Sequence, residues 1–129
     1  MPVPSNVTNP GTAAPRVAVV AEDHELSEAC ARMLRQEGYA VETAPHSGHA
    51  LLACLEGRPA DVLIAELSMD EGSGPALARR MRRFNPNLRA IFIARRGVAA
   101  AAEGVLVRPF TRHELLACLQ ADARGAQAS

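Results

Sequence analysis

Glu22, Asp23, Glu66 and Arg108 carry most of the chemistry this chain can offer, because each follows a short apolar run. RVAVVA (16–21) leads into Glu22 and Asp23, DVLIA (61–65) into Glu66, and VLV (105–107) into Arg108. If those runs are parallel strands, their ends share one sheet edge, where ligands of open α/β sheets collect. Carboxylates and a guanidinium gathered there can hold a divalent cation, act as an acid–base pair, or accept a phosphoryl group. A carboxylate-based hydrolase using Glu22 and Glu66 is one such reading, but nothing marks a substrate pocket or an oxyanion hole. A phosphate-cradling cofactor loop is disfavoured, since Ala-Glu-Asp-His-Glu follows the first run and its carboxylates repel phosphate.

The other reactive residues read as structural. Cys30, Cys54 and Cys118 are odd in number, widely spaced and without a CxxC pair, as expected of small buried thiols in a reducing cytosol. His46 and His49 can share a helix face, but two histidines without a third ligand are a weak metal signal, and both read as surface residues. Asn6-Val7-Thr8 matches a glycosylation sequon, but no basic-then-apolar leader precedes it, so it reads as chance. Arg79, Arg80, Arg82 and Arg83 form a stripe on a helix, joined by Arg95 and Arg96 as a possible basic surface. Aromatics are scarce for stacking on bases, so the stripe, Arg79 and Arg83 above all, is expected to meet an acidic protein partner rather than nucleic acid.

The 129 residues fit one domain with a real core, and 48% hydrophobic with 22% charged residues is the composition of a globular protein. The formal net charge is zero, every basic residue is arginine, and no apolar run is long enough to span a membrane. Residues 1–15, with four prolines, read as a flexible N-terminal arm, residues 16–121 as the domain, and residues 122–129 as a flexible tail. Within the domain, strands are expected at 16–21, 40–44, 61–67, 89–94 and 105–107. The first helix carries Leu26, Ala29, Cys30, Met33 and Leu34 and stops at Gly38. Ser47 is expected to cap a second helix whose inner face holds Leu51, Cys54 and Leu55. Pro75 opens a third that buries Leu77, Ala78, Met81 and Phe84. Thr111 and Glu114 make a capping box for a last helix built on Leu115, Leu116 and Leu119. LLACL occurs twice, at 51–55 and 115–119, as two similar amphipathic helices rather than a repeat. Alternating strands and helices imply a parallel sheet covered on both faces.

RVAVVAED with its helix ending at Gly38-Tyr39, DVLIAELSMDEGSG, and VLVRPFTRHELLACL together resemble a response-regulator receiver domain over residues 16–121. The resemblance implies a flavodoxin-like fold, a five-stranded parallel sheet of order 2-1-3-4-5. It also implies a cytoplasmic role in two-component or phosphorelay signalling. The partner would be a histidine kinase or another regulator, with no membrane or nucleic-acid binding and with homodimerisation left open. On this resemblance the length is taken up by the receiver, with no room for a DNA-binding output domain.

Nearly every reactive position departs from that family. The two metal-binding acids after strand one fall on Ala21 and Glu22, with Asp23 as a local substitute. The phospho-accepting aspartate is Glu66, and Leu67, Ser68, Met69, Asp70 and Gly74 follow in the family's spacing. The hydroxyl residue that ends strand four is Ala94, and the switch aromatic is Val105. The lysine is Arg108, with Pro109 kept and the Arg108–Pro109 bond expected to be cis. Glu22 and Glu66 are the residual metal candidates, but a missing ligand at Ala21 and two lengthened ones oppose octahedral Mg²⁺, so no cofactor is expected. A carboxylate displaced by about 1.5 Å can lower a rate by about a hundredfold. The expectation is a degenerate, non-enzymatic receiver working by protein contact, with phosphorylation at Glu66 or a nearby acid as the alternative. Glu66 is expected to pair with Arg108, either as a partial mimic of the phosphorylated state or as a remnant ion pair closing the pocket. Between strands four and five only residues 95–104 remain, too few for a full helix with loops. The usual output face should therefore be reduced.

Overall fold

The computed structural model describes residues 15–69, 72–95 and 105–128, with side chains described as far as Gln120. Its strands and helices alternate: β1 (Arg16–Val20), α1 (His24–Gln36), β2 (Ala40–Ala44), α2 (Ser47–Leu55) and β3 (Val62–Glu66). A small antiparallel pair follows, β4 (Ser68–Met69) and β5 (Gly72–Ser73), and then α3 (Gly74–Met81), β6 (Arg89–Ala94), β7 (Val105–Val107) and α4 (Arg112–Ala128). The main sheet is parallel throughout, in the order β2-β1-β3-β6-β7, which is the 2-1-3-4-5 arrangement expected from the sequence.

Period-two alternation along the strands divides the core in two. Val17, Val19, Val62, Ile64, Ile91 and Ile93 point toward α1 and α4, where Leu26, Cys30, Leu34, Leu115 and Leu119 are buried against them. Val20, Leu63 and Ala65 point the other way, toward Ala50 and Cys54 of α2 and Leu77, Ala78 and Met81 of α3. β3 is covered on both faces, which is why VLIA is uninterrupted by a polar residue.

Helix ends follow local chemistry. Gly38 (φ +94°) closes α1: its N–H donates to the Arg35 carbonyl and that of Tyr39 to Leu34. Gly57 (φ +86°) closes α2 in the same way, with Arg58 donating to Ala53. Both are Schellman motifs. At α4 the expected capping box is present. Thr111 N–H donates to Glu114 Oε1 at 2.8 Å, and Glu114 N–H donates to Thr111 Oγ1 at 3.1 Å. Arg112 also pairs with Glu37, tying the start of α4 to the end of α1.

Four local expectations are corrected. His46, not Ser47, occupies the N-cap of α2, and no side chain caps that end. Leu55 is 70% exposed although Cys54 beside it is buried, because it lies off the face that α2 turns to the sheet. Phe84 lies beyond the end of α3 and is 41% exposed, so it is not part of the core. α4 runs on to Ala128, where a tail was expected from residue 122, and its alanines favour helix by intrinsic propensity. The expectations of a shortened or missing fourth helix within residues 95–104 and of an N-terminal arm over residues 1–15 fall, apart from Arg95 and Pro15, outside the described residues. Among the described residues no helix is long and apolar enough to cross a membrane.

Candidate functional site

The sheet register brings the chemical residues to one level. Val20 lies opposite Ala65, Glu66 opposite Ile93, and Ala94 opposite Val107. The ladder continues one residue further: Ala21 N–H donates to Ala44, Leu67 N–H to Ile93, and Arg108 N–H to Ala94. Beyond these ends lies a cleft of about 400 Å³, lined by Glu22, Glu66, Leu67, Ser68, Ile93, Ala94, Arg95 and Arg108. A roomier cleft of about 790 Å³ lies along β2. There Arg16 and Arg58 both face Glu42, and Arg35 donates to the Val41 carbonyl.

The Glu66 side chain crosses from the end of β3 to the neighbouring turn. Its Oε1 accepts the backbone N–H of Glu22 at 2.6 Å. Adjacent strands lie about 4.8 Å apart, a gap that a glutamate side chain spans. The bond fastens the start of the β1–α1 turn to β3, with an ionised acceptor that strengthens it.

Asp23 is engaged twice. Oδ1 accepts the N–H of Leu26 at 3.2 Å as the N-cap of α1. Oδ2 lies 3.2 Å from Nη2 of Arg108. The Leu26 hydrogen bond, aided by the Arg108 guanidinium, holds the Asp23 carboxyl below its ordinary range. Asp23 does not line the cleft. Arg108 therefore bridges the β7–α4 turn to α1, and the Arg108–Pro109 peptide is cis, as expected.

The expected Glu66–Arg108 pair is the main correction at the site. Among the described residues, Glu66 bonds the Glu22 amide and Arg108 pairs with Asp23. The guanidinium goes to the acid that caps α1, while the longer glutamate finds a backbone donor on the adjacent strand end. Ala94 is buried at the end of β6 and Val105 half-buried at the start of β7; being alanine and valine, they offer no hydroxyl and no aromatic ring. No three His, Cys, Asp or Glu side chains converge among the described residues. His46 and His49 stack with centroids 4.6 Å apart on the exposed surface.

Ser68 and Arg95 line the cleft although the sequence did not single them out as cleft residues. Their signal was position alone, just past the ends of β3 and β6. Gly74 was placed only as part of a motif. A Cβ there would lie 2.6 Å from the Glu66 carbonyl oxygen and 2.7 Å from Phe92 Cδ1, so glycine lets α3 start against β3. Arg79 and Arg83 are exposed on and just after α3 and do not reach the cleft.

Comparison with known proteins agrees with this geometry. The family model described as "Response regulator receiver domain" matches residues 17–120. The transcriptional regulatory protein PrrA of Mycobacterium tuberculosis is 29% identical over 119 residues, covering 86% of this chain and 51% of that protein. The response regulator MprA of Mycobacterium avium is 31% identical over 114 residues, covering 82% of this chain and 50% of that protein. The chain thus spans about half the length of the curated relatives it matches. Among solved structures, the chemotaxis protein CheY4 of Vibrio cholerae superposes with a TM-score of 0.73 at 24% identity, covering 84% of this chain and 98% of that one. The N-terminal domain of a response regulator/sensory box/GGDEF 3-domain protein from Carboxydothermus hydrogenoformans reaches 0.76 at 19% identity, covering 88% and 97%.

Proposed function

The chain belongs to the response regulator receiver domain family, and from that membership we propose that it signals by protein–protein contact without being phosphorylated. It acts in the cytoplasm, with a histidine kinase or another regulator as its partner. The observation that carries the reading is the Glu22 amide on Glu66 Oε1 at 2.6 Å. A carboxylate oxygen held by a backbone donor is a structural anion, drawn away from the in-line approach that phosphoryl transfer requires.

The remaining groups support the same reading. Mg²⁺ needs several oxygens in near-octahedral array. Ala21 offers none, Asp23 is held by Leu26 and Arg108, and one oxygen of Glu66 is engaged by Glu22. The donor set does not fit the ion. Ala94 has no hydroxyl with which to follow a phosphoryl group, and the Arg108 cation is neutralised by Asp23. Both roles expected of Glu66, mimic and remnant ion pair, need Arg108 as its partner; an anchor on the Glu22 amide fits these contacts better than either.

Incubation with acetyl phosphate and Mg²⁺, followed by intact-mass measurement, should leave the mass unchanged. Glu66→Asp should be equally silent, because Ala21 and Ala94 remain. A phosphorylated species that disappears in Glu66→Gln would overturn the reading.

A further inference from the structure

Most described arginines are satisfied within the fold. Arg16, Arg58, Arg108 and Arg112 each face a carboxylate, and Arg35 and Arg82 donate to the carbonyls of Val41 and Leu88. Arg32, Arg79, Arg80, Arg83 and Arg95 are exposed and, among the described residues, have no ion pair or hydrogen-bonded acceptor for their guanidinium groups; three of the five, Arg79, Arg80 and Arg83, fall together at the end of α3 and just past it. Arg79 and Arg80 occupy the last turn of α3, where cations complement the helix dipole. Arg83 lies past the helix end, so the dipole does not account for it. The turn continues through bonds from Arg83 N–H to Arg80 and from Phe84 N–H to Met81. Arg79 and Arg83 are thereby kept about one turn apart, where like charges repel. In a chain of zero net charge this is an unmatched local field.

The stripe has an apolar neighbour. Phe84 follows it directly and is 41% exposed. α2, on the same side of the sheet as α3, carries Leu52 at 49% and Leu55 at 70% exposure. Aromatic and arginine side chains are the residues enriched at interface anchors. A lone phenylalanine gives no series of stacking platforms, and zero net charge gives no long-range pull toward a polyanion. A protein occupant is therefore favoured over nucleic acid.

We propose that the α2–α3 face docks an acidic amphipathic segment of a partner protein, its carboxylates on Arg79, Arg80 and Arg83 and its apolar side on Phe84, Leu52 and Leu55. This rests on the protein-contact reading above but not on the loss of phosphorylation.

The test is a fluorescence-anisotropy titration of the full chain with a labelled peptide bearing leucines at helical spacing and glutamates between them. The double variant Arg79→Glu/Arg83→Glu should weaken binding by about tenfold or more, with the larger loss at low salt. Phe84→Ser should weaken it by about tenfold, with little dependence on salt. Arg32→Glu, on α1 across the sheet, should leave binding unchanged. All three variants alter exposed side chains, and matching thermal melts would establish that each is folded. Absence of binding, an equal loss in Arg32→Glu, or displacement of the peptide by duplex DNA of equal charge would overturn the proposal. Repeating the titration after acetyl phosphate treatment separates the two readings. Phosphorylation would refute the silent-receiver reading and leave the arginine map intact, whereas unchanged binding in the arginine variant refutes this one alone.

Discussion

Asp23 does two jobs with one carboxylate: the charge strengthens the first and is required by the second. As N-cap it accepts from Leu26, and as counter-ion it faces Arg108. Its pKa is lowered in the folded protein, chiefly by the Leu26 hydrogen bond. A lowered folded value means that the unfolded state binds the proton more readily as pH falls. The stabilising contribution is therefore complete above the ordinary carboxylate value and is lost as pH drops through the lowered one. Asp23→Asn keeps a capping oxygen but removes the charge. Its melting temperature should fall below wild type at pH 7, and the gap should close below about pH 4. A gap that is constant across this range would show that the charge of Asp23 does not contribute. Glu66 sits beside this pair without joining it, so the site holds two separate fastenings of the β1–α1 turn, one to β3 and one to the β7–α4 turn.

At the scale of elements, α3 is set by three adjoining residues. The Ser73 hydroxyl accepts the N–H of Ala76 at 3.2 Å, Gly74 N–H donates to Leu67, and Pro75 fills the first turn without wasting a donor. Gly74 is the constrained member. A methyl group there would meet the backbone oxygen of Glu66, which cannot swing aside as a flexible side chain could. Gly74→Ala should destabilise by about 1–3 kcal/mol in urea denaturation, as overpacking does. Because the clash is with Glu66 itself, the Glu22–Glu66 bond should loosen with it, visible as faster amide exchange at Glu22. An unchanged midpoint and unchanged exchange would mean that α3 shifts freely. The start of α3 and the cleft are thus mechanically joined through one carbonyl.

For the whole molecule, stability rests on a sheet clad on both sides, and exposure separates two leucines of the same face. Leu63, on the central strand β3, is fully buried against Leu77 and Met81, whereas Leu55 is mostly exposed at the end of α2. Leu63→Ala should lose about 2–5 kcal/mol, and Leu55→Ala should stay within about 0.5 kcal/mol of wild type. Chemical denaturation of the two variants checks this, and comparable losses would mean that α2 packs more tightly than its exposure indicates. The same contrast sets apart the two ends of the fold. The strand ends hold two separate fastenings, Glu66 on the Glu22 amide and Arg108 on Asp23, and the α2–α3 face holds unmatched arginines with exposed Phe84 next in the chain.

The elements were readable in the sequence because their signals are local. The strand runs, Gly38 after α1, Pro75 at the start of α3 and the Thr111–Glu114 box each act within about one helical turn or one strand length. Order and spacing of three such stretches were enough for the receiver topology, and strand-end placement then gathered Glu22, Glu66, Ala94 and Arg108 at one edge. Which of them touch was not readable. Opposite charge suggested Glu66 with Arg108, yet the fold pairs Arg108 with Asp23 and gives Glu66 a backbone N–H. Backbone donors carry no residue-type signal, so a contact between positions 22 and 66 exists only once the sheet places the two strand ends side by side. Burial at element ends was lost for a related reason. Periodicity marks Leu55 and Phe84 as apolar, but only the packing of α2 and α3 on the sheet decides that Cys54 and Met81 face the core while Leu55, next to the one, and Phe84, just past the other, meet solvent.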